Sequence, residues 1–131
     1  MIPTISALYA GLCGLLLLGL AVLVVARRRS AKIGIGVRDD RELERRVRAH
    51  GNAAEYVPIA LLLLLVAELS GLGGTWLHAA GIGLVVARVA HAWGLTNSAG
   101  TSPGRFVGTL GTWIVILALS IWLVMRGAGL L

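Results

Sequence analysis

The chain has 131 residues, of which 57% are hydrophobic and only 14% are charged. Soluble domains carry about 25% charged residues, so the composition excludes an ordinary soluble domain and indicates an integral membrane protein. A spanning helix needs roughly 20 apolar residues, and the sequence has four such blocks. We predict an all-α, integral membrane four-helix bundle that forms one domain over residues 1–131. The expected helices cover about 3–28, 41–70, 75–96 and 103–126.

The first expected helix is a retained span, because its apolar run exceeds the roughly 7–15 residues of a signal-peptide core and no basic leader precedes it. Gly11, Gly14 and Gly19 give it small residues, which let membrane helices approach closely. The single cysteine, Cys13, excludes an internal disulfide and is expected to be buried and inert. No acid or amide interrupts this span, which disfavours a proton-coupled transporter.

The basic residues are concentrated after the first helix. Residues 27–48 hold nine of the twelve Lys and Arg residues and four acids, a net charge of 9 − 4 = +5. By the positive-inside rule this predicts that the loop 29–41 is cytoplasmic. Four spans then place the loop 96–104 in the cytoplasm too, with both termini on the opposite side. Nucleic-acid binding is a weaker explanation, since no aromatic residues interleave the run.

A polar stripe begins the second helix. Asp39 or Asp40 is a candidate N-cap. Arg48, Asn52 and Glu55 then follow at helical spacing, directly before the apolar run IALLLLLVA. Such a stripe at the mouth of a membrane helix is costly unless it holds something polar, which predicts a binding site. The alternative is that the stripe only ties helices together. Farther along this helix, Pro58 predicts a kink.

The third and fourth helices are expected to complete the site. Arg88 and His91 lie three residues apart on one helix face. Arg88 is deep enough to need a partner, and we predict a contact with Glu55; the alternative is that Arg88 snorkels to the interface. Pro103 suits the first turn of the fourth helix and places Arg105 at the level of the polar stripe. Gly104 and Gly108 form a GxxxG pair for close helix packing.

Three segments resemble one known family. The run ERRVRAHGNAAEYVP (44–58) resembles the signature of the MAPEG family, membrane-associated proteins in eicosanoid and glutathione metabolism. The segment ARVAH (87–91) resembles the family's third helix, and Pro103–Arg105 resembles the start of its fourth. The match is most similar to the small bacterial members. Its signature positions are Glu44, Arg45, Arg48, Ala49, Asn52, Glu55 and Pro58.

The resemblance implies a homotrimer in the bacterial inner membrane, with glutathione as co-substrate and no metal. Glutathione would lie between adjacent subunits near the cytoplasmic face, and membrane lipids and lipophilic small molecules would be the other partners. The resemblance implies Arg105 as the residue that activates the thiol. The other site residues expected are Arg27, Arg45, Arg48, Asn52, Glu55, Tyr56, Arg88 and His91.

One position departs from the family pattern. Family members with strong conjugating activity carry a Tyr about one turn beyond the His91 position, where this chain has Leu95. The leading hypothesis is a glutathione-dependent transferase, or peroxidase, that acts on lipophilic electrophiles. The alternative is a non-catalytic membrane protein of the same fold that binds lipids or a partner. The sequence leaves open which low-molecular-weight thiol is used.

Overall fold

The computed structural model describes residues 2–98 and 100–131, which form four α-helices. All four helices are long and apolar enough to cross a membrane. The protein is therefore an all-α integral membrane protein with four spans, as the composition predicted. The helices are α1 (Thr4–Ala31), α2 (Arg41–Leu69), α3 (Gly74–Asn97) and α4 (Pro103–Gly127).

Local capping chemistry determines where the helices begin and end. After α1, Lys32 adopts a left-handed conformation with φ 54°, and its N–H donates back to the last turn. Asp40 caps α2, as predicted, because its side chain accepts a hydrogen bond of 2.9 Å from the backbone N–H of Leu43. Ser102 caps α4 in the same way, with Pro103 in the first turn. The helix α2 continues through Pro58 to Leu69.

The core lies between the helices in the membrane interior. Tyr9, Leu64, Leu84 and Leu119 come from four different helices and pack in one buried cluster. Cys13 is fully buried in the same cluster, as expected for an inert cysteine. Burying side chains of this size contributes about 1.5–3 kcal/mol each in water. Within a bilayer the surrounding lipid is as apolar as the core, so the helices are held together largely by close packing of their side chains.

Two connections lie at one end of the bundle, and the termini lie at the other. At the first end, Arg28 donates to the carbonyl of Gly36 at 2.8 Å and closes the loop after α1. At the opposite end, Arg126 of α4 donates to the carbonyl of Ser70, after α2, at 3.2 Å. This arrangement brings the basic loop and the α3–α4 loop to the same end, where the predicted site lies.

Glu68 lies in the last turn of α2 and is buried inside the bundle. It is only 7% exposed, and its carboxylate accepts the backbone N–H groups of Ile5 and Ser6 at 3.0 and 2.6 Å. These amides belong to the unsatisfied first turn of α1, where the helix dipole also favours an anion. Glu68 of α2 therefore caps α1 from a neighbouring helix.

The small-residue face of α1 does not pack closely within the subunit. A Cβ added at Gly11, Gly14 or Gly19 would meet no atom of the described residues within 4 Å. The close helix approach occurs instead between α3 and α4, where Gly104 lies so near α3 that an added Cβ would stand 2.8 Å from the carbonyl oxygen of Ala90. The GxxxG pair of α4 thus packs as predicted, while α1 leaves its small residues uncovered.

Candidate functional site

Three adjoining cavities lie at the loop end of the bundle, and Arg105 lines all of them. The middle cavity, of about 230 Å³, is bordered by Arg48, Asn52, Glu55, His91 and Leu95. On one side lies a basic cavity of about 320 Å³, bordered by Arg41, Glu44, Arg45, Arg48 and Leu95. On the other side an apolar cavity of about 450 Å³ includes His91, Phe106, Leu110 and Trp113. The middle cavity contains the polar stripe expected from the sequence.

The basic cavity carries an excess of positive charge. Four guanidinium groups border it against the single carboxylate of Glu44. In the described part of the chain, the ion pairs involve only Arg27 and Arg46 among the cations, so none of these four is neutralised by a salt bridge. The Nε of Arg45 is buried and has no hydrogen-bond partner among the described residues. A cavity with this excess of positive charge favours anions, because guanidinium groups bind carboxylates and phosphates in bidentate fashion.

The middle cavity combines groups of different chemistry. Glu55 supplies a carboxylate, Asn52 an amide and His91 an imidazole. His91 is 6% exposed, and its Nδ1 has no hydrogen-bond partner among the described residues. The cavity can therefore accept a ligand cation at Glu55 and hydrogen-bond a neutral polar group beside it.

Arg88 does not contact Glu55, so that prediction is wrong. Its Nη1 donates to Oδ1 of Asn52 at 3.0 Å, and its guanidinium lies 5.9 Å from the centre of the Tyr56 ring. Arg88 is 1% exposed, so it does not snorkel either. Asn52 and Tyr56 are one helical turn apart and face α3, whereas Glu55 is exposed. Because of the way α2 is rotated, the neighbours of Arg88 are the Asn52 amide and the Tyr56 ring.

Arg27 forms its ion pairs outside the three cavities. It forms ion pairs with Asp40 at 3.0 Å and with Glu42 at 3.1 Å. The N–H of Leu43, together with Arg27, holds the pKa of the Asp40 carboxyl below its usual range. Arg27 thus ties the end of α1 to the start of α2, and it does not line any of the three cavities.

The position of Arg105 depends on the cap of α4. The hydroxyl of Ser102 accepts the N–H of Arg105 at 3.3 Å and donates to the carbonyl of Gly94 at 3.1 Å. One Nη of Arg105 donates to the carbonyl of Gly100 at 2.7 Å, which leaves its remaining donors available to the cavities. Ser102 was not predicted as a site residue, although a Ser directly before a Pro and an expected helix is an N-cap signal.

The apolar cavity opens on the outer surface of α4. Phe106 is 70% exposed and Trp113 is 53% exposed, and both border the cavity that also contains Arg105. These two residues were not among those predicted for the site. Their spacing of seven residues, with Leu110 between them, places them on one helix face. Together they connect the polar groups to the surface that faces lipid.

Residues 2–98 and 100–131 contain no group of three or more His, Cys, Asp or Glu side chains placed to hold a metal ion. The middle cavity is lined by two guanidinium groups, one carboxylate, one amide and one imidazole.

Comparisons with known proteins identify the family of this chain. Residues 6–125 match the model of the MAPEG family. The chain is 38% identical over 114 residues to the inner membrane protein YecN of Escherichia coli strain K12, covering 86% of this chain and 85% of that protein. YecN of Escherichia coli O6:H1 shows the same identity and coverage. The resemblance expected from residues 44–58 is thereby confirmed, and the chain belongs to the MAPEG family.

Proposed function

We propose that this protein is a glutathione-dependent transferase that acts on lipophilic electrophiles. The observation that carries the proposal is that Arg105 borders three cavities of different chemistry. One is basic, one is polar and one opens toward lipid. A thiol tripeptide and an apolar second substrate can meet only where such cavities join, and the guanidinium of Arg105 stands at that junction.

The donor set fits glutathione, which carries two carboxylates, an ammonium and a thiol. Arg45 and Arg48 border the basic cavity and can bind carboxylates. Glu55 can hold the ammonium, and Asn52 and His91 can hydrogen-bond the peptide groups. Arg27 is paired with two acids, so its part in the site is to hold the first loop in place.

Arg105 is the residue that favours the thiolate. A free thiol has a pKa near 8.5, so only a few per cent of it is thiolate at pH 7. A guanidinium that lowers this pKa by about two units favours the thiolate by roughly 2.7 kcal/mol. Arg105 also borders the apolar cavity, so it holds the sulfur beside the opening formed by Phe106 and Trp113. An electrophile or a hydroperoxide dissolved in the membrane can reach the sulfur from there.

The active form in this proposal is a homotrimer of single-domain chains. The uncovered glycines of α1 support it, because small residues on a lipid-facing helix allow a second subunit to pack closely. The bacterial inner membrane is the proposed location, supported by the relative named as an inner membrane protein. The net charge of the loop 29–41 and its surroundings supports a cytoplasmic position for both site loops.

A specific observation favours a second function, a non-catalytic membrane protein that binds lipids or a partner. Leu95 is 8% exposed and borders both the basic and the middle cavity. A leucine there adds an apolar surface where a tyrosine would supply a hydroxyl donor to the sulfur. In this alternative the cavities retain lipid and the thiol is never activated.

Purified protein in detergent distinguishes the two functions. The transferase proposal predicts saturable glutathione binding by calorimetry, a trimeric mass, and conjugation of a generic electrophile such as a chlorinated dinitrobenzene. Arg105→Ala should lower turnover, while Arg126→Ala, at the other end of α4, serves as the matched control. Co-purified lipid with neither glutathione binding nor turnover would support the non-catalytic function instead.

A further inference from the structure

The Asn52 amide lies between a buried guanidinium and the middle cavity. We propose that Arg88 is a positioning residue that turns this amide so that its NH₂ group, and not its oxygen, faces the ligand. The ligand group bound at Asn52 is then a carbonyl or carboxylate oxygen. This inference rests on the proposed function, because it concerns how the same site holds glutathione.

The chemistry of arginine determines which way the amide points. A guanidinium has five N–H donors and no acceptor, so it can bond Asn52 only through the amide oxygen. The distance of 3.0 Å from Nη1 of Arg88 to Oδ1 of Asn52 is that of a normal hydrogen bond. With the oxygen engaged by α3, the amide NH₂ is the part of Asn52 left for the cavity that it borders.

Burial shows that Arg88 acts through Asn52. Arg88 is 1% exposed and borders none of the three cavities, so it cannot touch a ligand in them. Its Nε and Nη2 have no hydrogen-bond partner among the described residues. Asn52 is thus the one side chain in the described part of the chain that hydrogen-bonds this buried cation. Such a bond is held firmly, because losing the partner of a buried charge is strongly destabilising.

Tyr56 holds the guanidinium from the other side. Its ring centre lies 5.9 Å from Cζ of Arg88, within the range of a cation–π contact. Asn52 and Tyr56 are four residues apart on α2, so one side chain from α3 contacts two successive turns of α2. This fixes the rotation of α2 against α3 and with it the direction of Asn52. All three were expected as site residues, but only Asn52 borders the cavities, whereas Tyr56 and Arg88 hold it from behind.

The orientation divides the ligand-binding roles within the middle cavity. Asn52 offers donors, so it selects an acceptor on the ligand, while Glu55 offers only acceptors and selects the ammonium. If the Asn52 amide were free to flip, it could bind either kind of group and would discriminate less. Arg88 is in this sense a specificity-determining residue that acts without touching the substrate.

Steady-state kinetics and calorimetry on wild type and five variants of the purified full-length protein test the inference. Arg88→Met should raise the KM and Kd for glutathione roughly tenfold, the loss expected when one well-oriented hydrogen bond is lost. The turnover at saturating glutathione should stay within about twofold of wild type, because Arg105 is untouched. Arg88→Lys keeps a donor for the same oxygen and should restore the affinity to within about threefold. Arg126→Met is the matched control and should leave KM unchanged.

Asn52→Asp tests the oxygen and the NH₂ group of the amide separately. The aspartate keeps an acceptor for Arg88, so the thermal midpoint should stay at or above that of wild type. The aspartate lacks the NH₂ donors, so its affinity for glutathione should fall as far as that of Asn52→Ala. Asn52→Ala loses both the oxygen and the NH₂ group, so it should also unfold at a lower temperature than wild type.

The outcomes distinguish this inference from the proposed function. If wild type binds no glutathione, the proposed function fails and the ligand orientation fails with it. If wild type binds but Arg88→Met or Asn52→Asp binds equally tightly, the positioning role alone is overturned. If Arg88→Met does not fold, Arg88→Lys and Asn52→Asp test the positioning role in its place. A loss of glutathione affinity in Arg88→Lys as large as that in Asn52→Ala contradicts the inference.

Discussion

Gly94 of α3 lies directly against the backbone nitrogen of Arg105 at the start of α4. A Cβ added at Gly94 would stand 2.6 Å from that nitrogen and 2.6 Å from the hydroxyl of Ser102. Backbone that close leaves no room for any side chain. The absence of a side chain at Gly94 therefore allows the N-terminus of α4 to bring Arg105 beside His91 and the polar stripe of α2.

Replacing Gly94 with alanine should push the two helices apart. The added methyl group meets backbone, which cannot rotate away, so we expect a loss of about 1–3 kcal/mol in stability. Because Arg105 moves with the start of α4, glutathione affinity should fall too. Thermal unfolding and calorimetry measure both effects. Gly127→Ala, where an added Cβ meets nothing within 4 Å of the described residues, is the control and should change neither.

Glu68→Gln should weaken the attachment of α1. The carboxylate accepts two backbone N–H groups at the positive end of α1, and the neutral amide loses the charge that strengthens both bonds. We expect a loss of about 1–2 kcal/mol in the free energy of unfolding. Asp39→Asn, in the exposed loop, is the matched control. A Glu68→Gln protein as stable as wild type would show that the cap contributes nothing.

Asp40 should make stability depend on pH in the acid range. The folded protein lowers the pKa of its carboxyl through the N–H of Leu43 and through Arg27. A group whose pKa is lowered on folding stabilises the protein above its unfolded pKa, near 3.9, and loses that effect as the pH falls through the folded value. The thermal midpoint of wild type should therefore drop more than that of Asp40→Asn below about pH 4. Parallel curves for the two proteins would contradict this role.

Leu95→Tyr tests the departure from the family pattern. The phenol adds a donor at the border of the basic and middle cavities, where it can stabilise a thiolate. We expect turnover with a generic electrophile to rise by about 10-fold, the scale of one extra hydrogen bond to a charged group. Leu95→Phe has the same ring without the hydroxyl and should not reproduce the gain. Equal turnover in both variants would assign the effect to size alone.

The sequence was sufficient for the parts of the fold that depend on local pattern. Apolar blocks of spanning length predict four helices. Pro103 predicts the start of α4, and the start of α2 was narrowed to Asp39 or Asp40, of which Asp40 is the cap. The GxxxG pair at Gly104 and Gly108 also packs as expected. The helix starts depend on residues close together in the chain, so local pattern was enough to infer them. Small residues alone were not enough to predict packing, because the glycines of α1 meet nothing within the subunit.

The pairing of polar side chains could not be predicted in the same way. Arg88 contacts Asn52 and not Glu55. These two side chains, three residues apart on α2, differ by only about 60° around the helix axis, so a small rotation of α2 decides which of them faces α3. Glu68 caps a helix that lies more than sixty positions earlier in the chain. Arg27 pairs with acids of the neighbouring loop. Such contacts depend on how helices are rotated and placed against one another, which periodicity leaves open.

Thiol activation by Arg105 can be followed through the ultraviolet absorbance of the thiolate of bound glutathione. Glutathione is titrated into detergent-solubilised wild type and Arg105→Ala while the ultraviolet thiolate band and the binding isotherm are followed together. We expect a saturable thiolate signal at pH 7 in wild type, and glutathione binding without that signal in Arg105→Ala. An equal thiolate signal in the two proteins, or glutathione bound by wild type with no thiolate signal at all, would contradict it.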